Sequence, residues 1–571
     1  MQPALLWAAA VVPGLIAYNL PPSPTLFNQV SALGLWGLVI AALAPAGARG
    51  VRGAAMSGAT LQAALLLIAT AALLSSEPGV LPCAIGVSSV GLIMATMAVA
   101  LGAAALLPTT ALLAAFFAAW VAAGAVNSAI AVVQVVAPQW PDGDWIARSG
   151  VTGRAVGNMR QPNHLATLLL WSAVAVVPLV ELGPLGRTRA RRTAALGLMA
   201  LMVLGVTLSG SRTGLVGIGV LALWGLLDRR LSRLSRALLL AAPLLCAASW
   251  GLTSWWASSQ GAHAIGAAAR VGEGDLSASR FAIWRDTVTL IRAQPWLGVG
   301  FGEFNFAWSL TPLPQRPVAF FDHTHNLPLQ LAVELGLPLA TLVLALLGLA
   351  LWQAWRRTWA VTDQTGAGLR AAFVMVLLMA LHSQLEYPLW YAHFLLPTAF
   401  MWGLCLGAGA PAAGASGEAT PPPRWPIAVG AAMVIAAVVV LIDYRRVVVI
   451  FSPPAGAAPL ETRIAEGQRS WFFAHHADYA AATTAERPAD AMSAFKRAPH
   501  HLLDTRLMIA WAQALAQSGD VDRARHLAAR LREFRNPNSD DFFAPCADAA
   551  LQPRPFQCEP PETLYSWRDF R

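Results

Sequence analysis

Charge is scarce in this 571-residue chain: 12% of its residues are Asp, Glu, Lys or Arg, against 56% hydrophobic. Soluble domains carry about 25% charged residues, so composition alone sets this chain among membrane proteins. Cysteine is scarce too, with five residues. No pair of CxxC motifs occurs, which argues against a cysteine-built zinc site. Cys83, Cys246 and Cys405 lie in or beside apolar runs and read as packing residues. Cys546 and Cys558 lie close together in a polar tail, where an oxidising compartment would join them. Met1-Gln2-Pro3 lacks the charged start of a secretory signal, and the first apolar run reads as an uncleaved anchor. The net charge of +9 is expected to reflect membrane topology first, and no nucleic-acid partner is expected.

What is present is long apolar runs. A membrane span needs roughly 20 apolar residues. About thirteen such runs are legible, at 4–20, 28–46, 58–75, 86–106, 109–137, 164–182, 194–209, 213–227, 237–256, 327–352, 370–385, 389–408 and 426–443. Read as one helix, 194–227 would be about 50 Å long, well beyond a core of roughly 30 Å. Ser209-Gly210-Ser211 is the natural break. With thirteen spans, the basic loops at Arg49/Arg52, Arg187–Arg192, Arg229–Arg236 and Arg356–Arg370 all fall on one side. The positive-inside rule makes that side cytoplasmic. The N-terminus is then inside, and the loop 257–326 and the tail beyond 443 are outside.

Residues 411–424 are small and Pro-rich, and read as a flexible cytoplasmic linker. The tail 444–571 has ordinary soluble composition, so the chain divides into a membrane domain, 1–443, and a periplasmic helical domain. Leu503, Leu507, Ala510, Trp511, Ala514 and Leu515 mark the apolar face of one amphipathic helix. After the turn at Ser518-Gly519-Asp520, Val521, Ala524, Leu527, Ala528 and Leu531 mark a second. The pair resembles a tetratricopeptide-type hairpin, which supplies binding surfaces; a plain helical cap on the membrane domain explains it equally well.

Four polar clusters converge on the external face by this topology. They are Gly157–His164, Ser209–Thr213, the long loop with Arg270, Ser279–Asp286 and His323–Asn326, and His382–Pro388. Ionisable residues at membrane depth are costly and mark functional paths. Each has a plainer reading. Arg212 can snorkel from a helix end. Arg160 and Arg280 can pair with Asp286 or Glu303, Gln161 and Asn163 can cap a helix after Pro162, and Glu386 and Tyr387 can form an interface belt. Together they place excess positive charge on the outer face, which calls for an anionic partner. Arginine forks match phosphate oxygens and neutralise a leaving diphosphate. A histidine at a helix start is favoured as neutral imidazole, able to take a proton from a hydroxyl. Asp322, His323 and His325 as ligands of a divalent ion are the competing reading, but no third firm ligand is evident.

These clusters resemble the bacterial O-oligosaccharyltransferase and O-antigen ligase superfamily of polytopic inner-membrane glycosyltransferases. Ser211–Gly214 (S-R-T-G), Arg280–Arg285 (R-x4-R) and His323–Asn326 (H-x-H-N) resemble its ligase-domain signature. Asn158–His164, His382–Phe394 and the tail are similar to its protein-glycosylating branch. The resemblance implies an all-α, GT-C-type membrane enzyme without metal or cofactor. It would move a glycan from undecaprenyl diphosphate in the membrane to a hydroxyl on a periplasmic acceptor protein. By motif position His325 would assist that hydroxyl, and Arg212, Arg280 and Arg285 would hold the diphosphate, with Arg160 added on physical grounds. Gln161, Tyr387, Asn326 and His323 would line the substrate site. Rival readings are an O-antigen ligase acting on lipid A-core, a polymerase of the repeat unit, a transporter or flippase, and a non-catalytic scaffold.

Overall fold

The computed structural model describes residues 2–44, 51–76, 81–259, 265–272, 276–313, 315–318, 320–409, 424–548 and 550–571. Arg49, residues 260–264 and 273–275 of the long loop, residues 411–423 of the linker, and the side chains of Arg52 and Arg270 lie outside that description. The described secondary structure is helical, with no strand. Nine described helices are long and apolar enough to cross a membrane, from Leu26–Leu43 to Trp425–Phe451. The other four expected spans fall on shorter apolar helices: Gln2–Val11, Arg212–Leu227, Gly366–His382 and Ala392–Gly407. The first of these stops just ahead of Pro13-Gly14, where a helix loses its donor.

The chain breaks at Gly210, in the left-handed region at φ +60°. A side chain there would meet the Gly266 carbonyl oxygen at 2.7 Å, so the position needs glycine. Ser211 then starts the next helix, its Oγ accepting from the Gly214 amide at 3.0 Å.

Two compact units result, Met1–Ala63, Met94–Gly274 and Leu346–Val439 in the first, and Ala64–Ile93, Asp275–Ala345 and Val440–Arg571 in the second. In the first, the helix Pro162–Glu181 is buried almost throughout. Rings from four helices run through its core, with Trp36 on Phe400 at 5.0 Å, Phe116 on Phe400 at 5.5 Å and Trp120 on Trp171 at 5.0 Å. Lipid gives little hydrophobic drive for helix association, so close packing must supply it. Gly37 and Gly430 meet for that reason: a Cβ on Gly430 would lie 2.3 Å from the Gly37 carbonyl oxygen. Arg370, counted above with a basic loop, is buried and bound to Asp228 at 2.6 Å.

In the second unit the long loop and the tail share one hydrophobic core. Ile283, Leu290, Phe304, Phe306 and Trp308 of the loop pack with Leu503, Leu507, Trp511, Leu527, Leu531 and Phe534 of the tail. Polar contacts follow the same path. Glu303 and His500 form a fully buried pair at 2.9 Å, Asn305 Oδ1 accepts from the Leu503 amide at 2.7 Å, and Arg316 meets Glu533 at 3.1 Å. The Arg316 guanidinium also lies 4.4 Å from the Phe534 ring centre, and burial pushes its pKa down to about 10 against the pull of Glu533. The tail contains the expected helices, Thr505–Gln517 and Val521–Phe534, with Asp520 capping the second. Val521 is exposed on its first turn, so the apolar face begins at Ala524. Cys546 and Cys558 are joined in a disulfide.

The helix Leu327–Ala360 is interrupted at Gly336, where φ is +76° and ψ 161°. Backbone of the loop docks at this break, with Leu337 donating to the Pro295 carbonyl at 2.7 Å and Val299 to the Val333 carbonyl at 2.8 Å. A methyl on Gly336 would sit 2.2 Å from the Trp296 carbonyl oxygen. Gly336→Ala is therefore expected to destabilise the protein by about 2 kcal/mol or more, read as a lowered Tm in detergent.

Candidate active site

In the first unit, three of the four polar clusters are in contact. The Gly157–Met159 turn leads to Arg160, itself left-handed at φ +58°, and then to the Pro162 helix. Gln161 caps that helix, its Oε1 accepting from the His164 amide at 2.9 Å. Asn163 is the junction. Its Nδ2 donates to Glu386 at 2.8 Å, and its Oδ1 accepts from the Ser211 hydroxyl at 2.6 Å. Residues far apart in sequence, at 163, 211 and 386, thus form one chain of bonds beside Arg212, which stands exposed on the first turn of its helix. Tyr387 is half-buried and stacks on Tyr391 at 6.1 Å, and Tyr391 meets the His164 ring edge-on at 4.7 Å. Asn163→Ala would remove a donor from the buried Glu386, an expected cost of about 1–3 kcal/mol, detectable in thermal unfolding.

Arg160 donates through Nη2 to the Ala17 carbonyl, and burial lowers its pKa. Sequence reasoning missed the arginine beside it. Arg154 is buried and grips the inter-helix turn, donating to the carbonyls of Ser209 at 3.0 Å and Gly210 at 3.3 Å. Gln134 and Asn127 were missed as well. Gln134 accepts from the amides of Val156 and Gly157 at 2.9 and 2.8 Å, and Asn127 accepts from the Asn158 amide at 3.3 Å. Their signal was available: two amides inside the apolar run 109–137.

In the second unit, Phe321–Asn326 is tightly placed. Trp284 Nε1 donates to the Thr324 carbonyl at 2.9 Å, and Asn305 Nδ2 to the Phe321 carbonyl at 2.8 Å. The Thr324 amide donates to Gln330 at 2.7 Å. Asn326 Oδ1 accepts from the Leu329 amide at 3.0 Å, which makes Asn326 the cap of the Leu327 helix. His325, between them, has φ +54°, a conformation that side-chain-bearing residues rarely adopt. Its ring stands edge-on to Phe321 at 5.3 Å. His323 Nδ1 lies 3.1 Å from Asp322. Burial raises the Asp322 pKa, but His323, His325 and a backbone hydrogen bond together draw it down to about 2. Arg280 lies half-buried on the helix Leu276–Ala293. Arg285, on the same helix, meets Asp286 at 3.1 Å and donates to Gln315 at 2.9 Å. Asp286 and Glu303, the carboxylates considered for Arg160 and Arg280, are engaged by Arg285 and His500.

Strain of this kind persists only where the surroundings fix it, and it concentrates at functional sites. Comparison with known proteins points the same way. Residues 197–344 match the O-antigen ligase family, and residues 155–179 the protein glycosylation ligase family. These matches support the O-antigen ligase and O-oligosaccharyltransferase superfamily that the motifs resemble. The first match contains Arg212, Arg280, Arg285, His323, His325 and Asn326, and the second Arg160 and Gln161. Residues 370–541 match the C-terminal part of a membrane-bound virulence factor polymerase family. The chain is 28% identical over 258 residues to the general O-oligosaccharyltransferase of Acinetobacter baylyi. That match covers 44% of this chain and 43% of the relative's length. Nine apolar helices among the described residues, each long enough to cross a bilayer, make it an integral membrane protein.

Proposed function

We propose that the protein transfers a glycan from an undecaprenyl-diphosphate-linked oligosaccharide to Ser or Thr hydroxyls of periplasmic proteins. His325 accepts the acceptor's hydroxyl proton as that oxygen bonds to the anomeric carbon. The bond from that carbon to the diphosphate oxygen breaks, and the diphosphate leaves with the electron pair. Arg212, Arg280 and Arg285, with Arg160, neutralise the charge it gains. Gln161, Tyr387, Asn326 and His323 contact substrate, and no metal or cofactor enters the step. The reading includes thirteen spans of GT-C type in the inner membrane, an N-terminus in the cytoplasm and the 444–571 domain in the periplasm. The Cys546–Cys558 bridge supports that last assignment, because disulfides persist in oxidising compartments.

The observation that carries the reading is the left-handed His325, fixed by its neighbours inside an O-antigen ligase match. The likeness to a general O-oligosaccharyltransferase favours protein over lipid A-core as acceptor. Purified protein is to be mixed with undecaprenyl-diphosphate glycan and either a Ser-containing periplasmic protein or lipid A-core. Glycan on the protein is expected. Transfer to lipid A-core alone would make the protein an O-antigen ligase, and transfer to neither would favour a transporter or a scaffold.

A further inference from the structure

The tail carries a second concentration of histidine that the transfer reaction does not use. His475 and His476 lie in the first turn of the helix Ala474–Thr484, and His501 follows the turn Ala498–His500. Ring centres are 4.3 Å apart for His475 and His476, 4.1 Å for His475 and His501, and 5.0 Å for His476 and His501. One ligand nitrogen from each lies within 4.8 Å of the other two.

The plain alternative is a stack of core histidines. Such rings are normally stabilised by hydrogen bonds from their nitrogens. Nδ1 of His475, a residue 7% exposed, has no such partner among the described residues. Burial also depresses all three imidazoles, His501 to about 4, His476 to about 3 and His475 in the same direction. An ion at the centre of such a triangle would lie at most about 2.8 Å from each nitrogen, so a contraction of under about 1 Å reaches Zn–N bonding distance.

We propose that His475, His476 and His501 form a three-histidine site for a late divalent transition-metal ion, with Zn2+ the best match. Neutral nitrogen ligands select this class over Ca2+ and Mg2+, which prefer oxygen. Three ligands leave a fourth position for water. The ion fastens the start of the Ala474 helix to the segment that leads, through the Asp504 cap, into the Thr505 helix. The site is a staple in the tail and takes no part in glycan transfer.

The test uses full-length protein without a polyhistidine tag, purified in detergent, stripped with chelator and dialysed against Zn2+ or Mg2+. About one zinc per chain by elemental analysis is expected, with a Tm rise of about 3 °C or more at zinc 100-fold above Kd. His501→Ala should lose both, and His501→Cys, which restores a zinc ligand, should keep them. If His501→Ala fails to fold, His476→Gln replaces it, since that ring is only partly buried. Zinc content equal in the parent and the variant, or an equal Tm rise with Mg2+, would overturn the site.

Discussion

His325→Asn is expected to lower the rate of glycan transfer about 10²–10⁴-fold while leaving the Tm of the protein close to that of the parent. Asparagine is the right probe because it tolerates the left-handed backbone that His325 adopts, whereas alanine does not. The variant therefore keeps the loop and removes only the base. Transfer of an activated glycan to a hydroxyl needs a group that accepts the proton as the new bond forms, and amide nitrogen cannot do so. His323→Ala is expected to lose less, because that ring is engaged with Asp322. Both rates are read from labelled glycan appearing on acceptor protein. A His325→Asn enzyme within about tenfold of the parent would remove this histidine from the reaction.

Phe534→Ala is expected to destabilise the second unit by about 3–5 kcal/mol and to reduce transfer although no substrate touches the residue. Phe534 is fully buried, lies face to face with Phe320 at 3.7 Å and meets Trp308 edge-on at 5.3 Å. Truncation leaves a cavity under Phe320 and strips the aromatic face from the buried Arg316. Phe320 is the residue just before the Phe321–Asn326 loop, so loosening it frees the backbone around His325. Two measurements check this: a lowered Tm, and transfer that recovers partly on cooling. A stable but inactive variant would give Phe534 a different role.

Much of the membrane portion was legible because length and hydropathy are local. The break at Gly210 followed from a run too long for one bilayer crossing, and the tail hairpin from an unbroken apolar stripe. The polar clusters were legible as types, but their partners were not. Asn163 joins Glu386 to Ser211 across contacts that leave no periodic trace in the chain. Arg154 passed unnoticed because its acceptors are backbone carbonyls, which every sequence offers. The union of loop and tail was hidden most deeply. Glu303 and His500 are 197 residues apart, and nothing in the local sequence of either points to the other.

That union bears on how such proteins can be recombined. An experimenter who grafts the tail of a relative onto this chain at residue 443 would leave Glu303 facing an unknown residue in place of His500, and Phe320 without its ring partner. The unit that can be exchanged intact is 64–93 with the loop 275–345 and everything from 440 onward. Acceptor preference, if it resides in the tail, should therefore move between relatives only when all three segments travel together.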